Sequence, residues 1–285
     1  MRDRIPYGPM CCSVHIHTTL CDGKGTPEAM AEAAYRAGVR YLGFSGHSHT
    51  ECASDRGYVL PEDLTEYRTR VLALREAYGD RMEILLGIEL DSFSQTDPAD
   101  LDYWIGSVHH LPDGRGGDYA VDAAPEEFFR CRDALFHGDV YAMAEAYYTA
   151  VGEMARRKPT ILGHLDLITK YNQNGAIFDE THPRYRSAAL GALQAADPSG
   201  TLLEINTGAM SRGYRREPYP ALFLLKAWRQ RGGQVILTAD AHSPEAIVYA
   251  YDAAADRARA AGYRECAVLT ASGVKLCSLE GEANL

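Results

Sequence analysis

Ser13-Val14-His15-Ile16-His17-Thr18-Thr19-Leu20-Cys21-Asp22-Gly23 begins within a short apolar run, Cys11 to Ile16, and ends in a polar turn. Residues two apart on a β-strand point to the same face, so His15 and His17 aim their imidazoles into one space at the end of a strand. Barrels and open parallel sheets keep their sites at such strand ends. Imidazole is the commonest side-chain metal ligand, and a carboxylate, Asp22, follows. The stretch reads as the start of a metal site.

The same design recurs down the chain. Thr26-Pro27-Glu28 is a capped helix start, and Gly38 ends that helix. The strand Tyr41 to Ser45 then runs into Gly46-His47-Ser48-His49. A helix over about Pro61 to Tyr78 precedes the strand Met82 to Asp91, which closes in Glu89-Leu90-Asp91. Tyr103 to Val108 leads to His109-His110, and Thr160 to Gly163 leads to His164-Leu165-Asp166. Helices are expected at about Arg184 to Ala196, Pro220 to Arg231 and Pro244 to Ala260, alternating with the strands Leu202 to Asn206 and Val235 to Ala239. The latter ends in Asp240-Ala241-His242. An insertion at about 111–158 holds a Gly-rich loop and a helix over about Tyr141 to Arg157, and a hairpin at about 264–280 turns at Ser272-Gly273.

Buried strands linked mostly through helices predict an α/β fold with a parallel sheet and helices outside. An open sheet concentrates its ligand groups at one switch point, whereas a barrel turns every strand end to one mouth. Metal-competent residues behind nearly every strand therefore favour a barrel with its site at the C-terminal mouth. Residues 1–285 read as one domain, with no low-complexity stretch or linker.

Composition narrows the partners. Lys and Arg number 29 against 39 Asp and Glu, a net charge of -10, which disfavours nucleic acid or an anionic membrane as partner. No apolar run reaches the roughly 18–20 residues of a membrane span, and the N-terminus lacks a signal-peptide stretch; a cytoplasmic protein is expected. The seven cysteines form no Cys-x-x-Cys pair and are expected to be reduced core residues, not ligands, Cys21 and Cys52 included.

The strand ends together supply His15, His17, Asp22, His47, Glu89, His109, His164, Asp240 and His242, six of the ten histidines among them. His15-Ile16-His17 with Asp22, Gly46-His47-Ser48, Gly87-Ile88-Glu89, Ser107-Val108-His109, Gly163-His164-Leu165-Asp166 and Asp240-Ala241-His242 resemble the motifs of the polymerase-and-histidinol-phosphatase (PHP) family, from about Cys12 to Ala260. The resemblance implies a distorted seven-stranded β/α barrel with three metals at its mouth. On that likeness His15, His17, Glu89 and Asp240 hold one metal, and Glu89 bridges to a second on His109 and His164. Asp22, His47 and His242 hold the third. Some relatives have histidine where Asp22 stands. The connection before Gly163 and the run Glu204-Ile205-Asn206-Thr207-Gly208 are similar to the histidinol-phosphate phosphatase branch.

Mixed imidazole and carboxylate donors suit Zn²⁺, Fe²⁺ or Mn²⁺ better than Ca²⁺ or Mg²⁺. Paired metals can acidify a water for in-line attack on a phosphate monoester, so no side-chain nucleophile is needed. The expected reaction is hydrolysis of L-histidinol phosphate by metal-bound hydroxide, a step of histidine biosynthesis, with Glu89, Asp240 and His242 as catalytic residues. Arg212, Arg215 and Arg216, in the loop after Asn206, and Lys170 are candidates for the phosphate. His110, Tyr171 and Asn206 are candidates for the rest of a small phosphorylated substrate, His110 only if the strand end bends. Three alternatives stay open: a phosphoesterase for another small phosphate monoester or a nucleotide, a non-enzymatic metal-binding domain, and an amidohydrolase-like hydrolase.

Overall fold

In the computed structural model, which describes residues 4–280, one nine-stranded sheet curls on itself with helices on its outer face. It begins with β1 (Cys12–Ser13), α1 (Pro27–Arg36) and β2 (Tyr41–Phe44). Thr26 caps α1 by accepting a hydrogen bond from the Ala29 amide, and Gly38 leaves it at φ 83°. There follow α2 (Thr65–Tyr78), β3 (Glu83–Asp91) and β4 (Tyr103–Ser107). The insertion contains β5 (His110–Pro112), β6 (Asp118–Ala120), α3 (Pro125–Phe136) and α4 (Val140–Arg156). Next come β7 (Ile161–Leu162), α5 (Pro183–Ala195), β8 (Leu202–Asn206), the single turn α6 (Gly208–Ser211), α7 (Leu222–Gln230) and β9 (Val235–Thr238). The described chain ends with α8 (Tyr251–Ala260), β10 (Glu265–Thr270) and β11 (Gly273–Ser278).

Strands pair in parallel in the order β1-β2-β3-β4-β7-β8-β9, and the antiparallel β10-β11 hairpin continues from β9. The seam between the first and last of these seven strands is split. Toward its N-terminal end β9 pairs with β10, Ile236 opposite Ala267. Beyond the strand ends, Ile16 bridges to Ala241, with His17 N–H donating to the Ala241 carbonyl and Ala241 N–H to the His15 carbonyl, both at 2.9 Å. The barrel is thus distorted as expected and closes only at the mouth, and the closing bridge sets His15 and His17 beside Asp240 and His242. Inside, Tyr103 spans the core. Its hydroxyl donates to the carbonyls of Val14 at 2.6 Å and Phe44 at 3.1 Å, and its ring fills the space left by Gly43 and Gly87.

Two helix boundaries depart from the expectation for local reasons. Helix α2 starts at Thr65, not Pro61, because the Asp63 carboxylate accepts the Thr65 amide and initiates the helix there. The stretch 244–260 is not one helix. The Ile247 and Tyr249 carbonyls accept hydrogen bonds from the Ser13 and Thr207 hydroxyls, Ala250 turns left-handed at φ 52°, and α8 begins only at Tyr251.

Candidate metal centre at the barrel mouth

The nine sequence-predicted donors come together in one place. His15 and His17, fully buried, leave β1 on the same side as read from their spacing. The turn after His17 is tight enough that a Cβ on Gly23 would meet the His17 backbone at 2.5 Å, and it brings Asp22 back over His17, Oδ1 to Nδ1 3.3 Å. Glu89 occupies the middle of the group. Its Oε2 lies 3.3 Å from His15 Nε2, 3.4 Å from His17 Nε2 and 2.9 Å from His47 Nδ1. Its Oε1 lies 2.9 Å from His164 Nε2 and 3.5 Å from His109 Nε2. Asp240 Oδ1 is 3.3 Å from His17 Nε2, and His242 Nε2 is 3.0 Å from Asp22 Oδ2. Asp240 comes this close because Gly208 has no side chain: a Cβ there would stand 2.6 Å from Asp240 Oδ2.

These atoms fall into sets able to grip one ion each: His17, Asp22, His47 and His242; His15, His17 and Asp240; His15, Glu89 and His164; and His47, Glu89 and His109. His15 Nε2, His17 Nε2, Glu89 Oε2 and Asp22 Oδ1 are buried and make no hydrogen bond among the described residues. Buried polar atoms left unpaired are costly, and four of them converging on one space fit a cation there. The field points the same way. Burial disfavours charge on His15, yet the Glu204, Glu89 and Asp240 carboxylates push its pKa up to about 10. His47 is held well above the ordinary imidazole range in spite of its burial, chiefly by Glu89. Glu89 and Asp240 are buried too, but the surrounding cations hold both well below the usual carboxylate range. The site attracts positive charge, and its nitrogen and oxygen donors match a divalent transition metal.

Two carboxylates that sequence reasoning missed hold the donors in place. Asp91, at the end of β3, accepts from the His109 ring at 3.0 Å and from the His109 amide at 3.0 Å. Glu204, in the middle of β8, lies 2.5 Å from His15 Nδ1 and accepts the His164 amide at 2.6 Å. A glutamate inside the run Leu202-Leu203-Glu204-Ile205 was the available signal for the second.

Seven of the nine donors, all but His15 and His17, line a cavity of about 450 Å³ together with Thr50, Ser54, Asp55 and Asp122. Three of the predicted substrate-binding residues line it. Arg212 lies across Asp240, Lys170 Nζ donates to the Asp122 carbonyl at 2.6 Å and pairs with its carboxylate at 3.0 Å, and His110 Nε2 stands 3.0 Å from the Ser54 hydroxyl. His110 reaches the cavity beside His109 because β4 stops at Ser107 and the chain bends into β5. Arg215, Arg216 and Asn206 are placed elsewhere. Arg215 turns inward to donate to the Thr169 carbonyl and hydroxyl at 2.7 and 2.6 Å. Arg216 is exposed, with its amide on the Gln173 side chain. The Asn206 amide is taken up by Glu204 and by the Gly208 N–H. Tyr171, the remaining candidate, donates to the Asp122 carbonyl from beside the cavity. All seven cysteines are unpaired and buried, and Cys21 Sγ lies 3.7 Å from His17 Nδ1.

No helix among the described residues is long and apolar enough to cross a membrane. The profile of the PHP domain family matches residues 13–208. A Deinococcus radiodurans protein named a probable histidinol-phosphatase is 31% identical over 89% of this chain and 94% of its own. The histidinol-phosphatase of Bacillus subtilis is 25% identical over 85% of this chain and 97% of its own. Among solved structures, the histidinol phosphate phosphatase of Lactococcus lactis, complexed with zinc, L-histidinol and phosphate, superposes with a TM-score of 0.68, at 20% identity, covering 92% of this chain and 98% of that one.

Proposed function

The chain belongs to the PHP family, and from that premise we propose that it is a metal-dependent phosphatase that hydrolyses L-histidinol phosphate to L-histidinol and phosphate in histidine biosynthesis. The observation that carries the reading is the convergence of nine nitrogen- and oxygen-donor side chains, with Glu89 among them, beside a cavity edged by Arg212. The choice of substrate is supported by the relatives named for that activity over most of their length. It is supported as well by the zinc, L-histidinol and phosphate held by the Lactococcus lactis protein.

In this reading residues 1–285 form a single PHP-type domain holding three divalent ions, Zn, Fe or Mn. One ion would sit on His15, His17, Glu89 and Asp240, a second on Glu89, His109 and His164, and a third on Asp22, His47 and His242. Bound there, the metals would supply Lewis acidity toward the phosphate oxygens and a water acidified toward neutral pH. The protein's own part is positional. Glu89 spans the group with one oxygen on each side, and Asp240 and His242 stand between the donors and Arg212. Arg212 brings a fixed positive charge to the cavity edge, where a phosphate would lie between it and the metals. Asp55, beside His110, and Asp122, beside Lys170, line the same cavity and would give it carboxylate acceptors for the substrate's amino group.

Phosphate release should be measured from the metal-loaded protein over histidinol phosphate, sugar phosphates, nucleotides and an aryl phosphate. Histidinol phosphate is expected to give the highest kcat/KM. A higher value for another monoester would reassign the substrate within phosphoesterases, and no release from any of them would sink the enzymatic reading.

A further inference from the structure

Glu204 is fully buried, and four donors from four strand ends surround it. Its Oε1 lies 2.5 Å from His15 Nδ1 and 2.6 Å from the Thr238 hydroxyl. Its Oε2 lies 2.6 Å from the His164 backbone N–H and 3.0 Å from Asn206 Nδ2. An ionised carboxylate only accepts and has about four lone-pair positions, so these contacts fill it. The hydrogen in the short contact with His15 therefore belongs to the imidazole Nδ1, so that when the ring gives up a proton to become a ligand, the lone pair is exposed on Nε2. Nε2 is the nitrogen that faces Glu89 at 3.3 Å and Asp240 at 3.7 Å.

We propose that Glu204 is a positioning residue for the metal centre: it fixes the tautomer of His15 and the backbone seat of His164, and so sets metal affinity without itself meeting metal or substrate. The proposal rests on the reading of the site as a metal centre. One carboxylate governs two imidazoles, carried past the ends of β1 and β7, that share the Glu89 carboxylate. It does not touch Asp22, His47 or His242, so its influence falls on one part of the centre. Carboxylates behind metal-bound histidines act in this way, and losing one lowers affinity about 10- to 100-fold.

Glu204→Gln gives a sharp test because it preserves size. Its amide NH₂ must face one of the two donor pairs. The His164 N–H is a fixed backbone donor, whereas the His15 imidazole can move its hydrogen and the Thr238 hydroxyl can rotate. The NH₂ should therefore turn toward His15, which then carries its hydrogen on Nε2 and is lost as a ligand. Zn²⁺ affinity would be measured by chelator competition on wild type, Glu204→Gln and Glu204→Asp, with urea unfolding of each chelator-treated protein alongside. Nitrogen-15 spectra of the zinc-loaded proteins would report which His15 nitrogen carries hydrogen.

The expected result is an affinity loss of about 10- to 100-fold in Glu204→Gln, together with loss of the Nδ1-protonated His15 signal. Glu204→Asp, which keeps an acceptor-only carboxylate, should recover part of the affinity. Wild-type affinity in Glu204→Gln overturns the proposal. So does equal loss in both variants with the Nδ1 signal unchanged, since that describes packing and not tautomer control. Wild-type protein that binds less than one equivalent of zinc would instead overturn the metal centre from which the proposal starts.

Discussion

Arg212 lies across Asp240, its Nη2 3.0 Å from the carboxylate Oδ2 and its Nη1 3.2 Å from the carbonyl oxygen of the same residue. Of the three arginines in that loop it lines the cavity, and Arg215 and Arg216 do not. Arg212→Ala should leave metal content unchanged and raise KM for a phosphate monoester, with a smaller loss of kcat from poorer alignment. A charge-assisted hydrogen bond to phosphate is worth about 1.5–3 kcal/mol, so kcat/KM should fall about ten- to a hundredfold or somewhat more. Arg216→Ala should keep wild-type kinetics. If Arg212→Ala keeps them too, Lys170 becomes the leading phosphate ligand.

Glu89 contacts five of the histidines, three through Oε2 and two through Oε1. Glu89→Gln retains the shape and removes the charge that lets one residue span two cations. Turnover should fall by orders of magnitude and bound metal should drop, while the circular dichroism spectrum stays that of the folded protein. Near-wild-type turnover with full metal content would show that Glu89 is not the bridge.

The donor set was legible in the sequence because the donors, Asp22 in its turn apart, stand at the end of an apolar strand or just beyond it, and a parallel barrel turns all such positions toward one mouth. The closing seam adds what the strands alone do not say, since the bridge from Ile16 to Ala241 joins two donor-bearing strand ends. Less legible were residues whose direction depends on distant partners. Glu204 reads as one polar position within a buried strand, and only the pairing of β8 with β7 and β9 brings His164 and Thr238 to it. Arg215 follows the same loop as Arg212, yet acceptors on Thr169 draw it away from the mouth. His110 depended on a bend after Ser107 that alternation along a strand does not announce.

A substitution in the core tests the fold apart from the chemistry. An added Cβ at Gly87 would run into the ring of Tyr103, whose hydroxyl is tied to the Val14 and Phe44 carbonyls and whose ring has no free direction to shift. Gly87→Ala should therefore destabilise the protein by about 1–3 kcal/mol, as overpacking of a tight core does. Urea unfolding of the chelator-treated protein measures it without interference from metal. A neutral result would mean that Tyr103 can move, and that the hydrogen bonds across the core are looser than their geometry implies.

Metal uptake should release protons, and the sign follows from the field at the site. Burial opposes charge on His15, His17 and His47, and neighbouring carboxylates outweigh it in each case. They push His15 up to about 10 and hold the other two well above the ordinary imidazole range. At pH 7 the metal-free protein therefore keeps these imidazoles protonated, whereas a ligating nitrogen must give up its hydrogen. Each ion that binds must displace protons, so affinity should rise with pH and fall as the solution is acidified. For an ion held by two of these histidines, log affinity should climb about two units per pH unit near neutrality, one for each proton released. Calorimetric titration of the chelator-treated protein with Zn²⁺, in buffers of differing ionisation enthalpy, counts those protons directly. Titrations in which the heat is the same in every buffer would show that no proton leaves, and that the carboxylates do not hold the imidazoles charged.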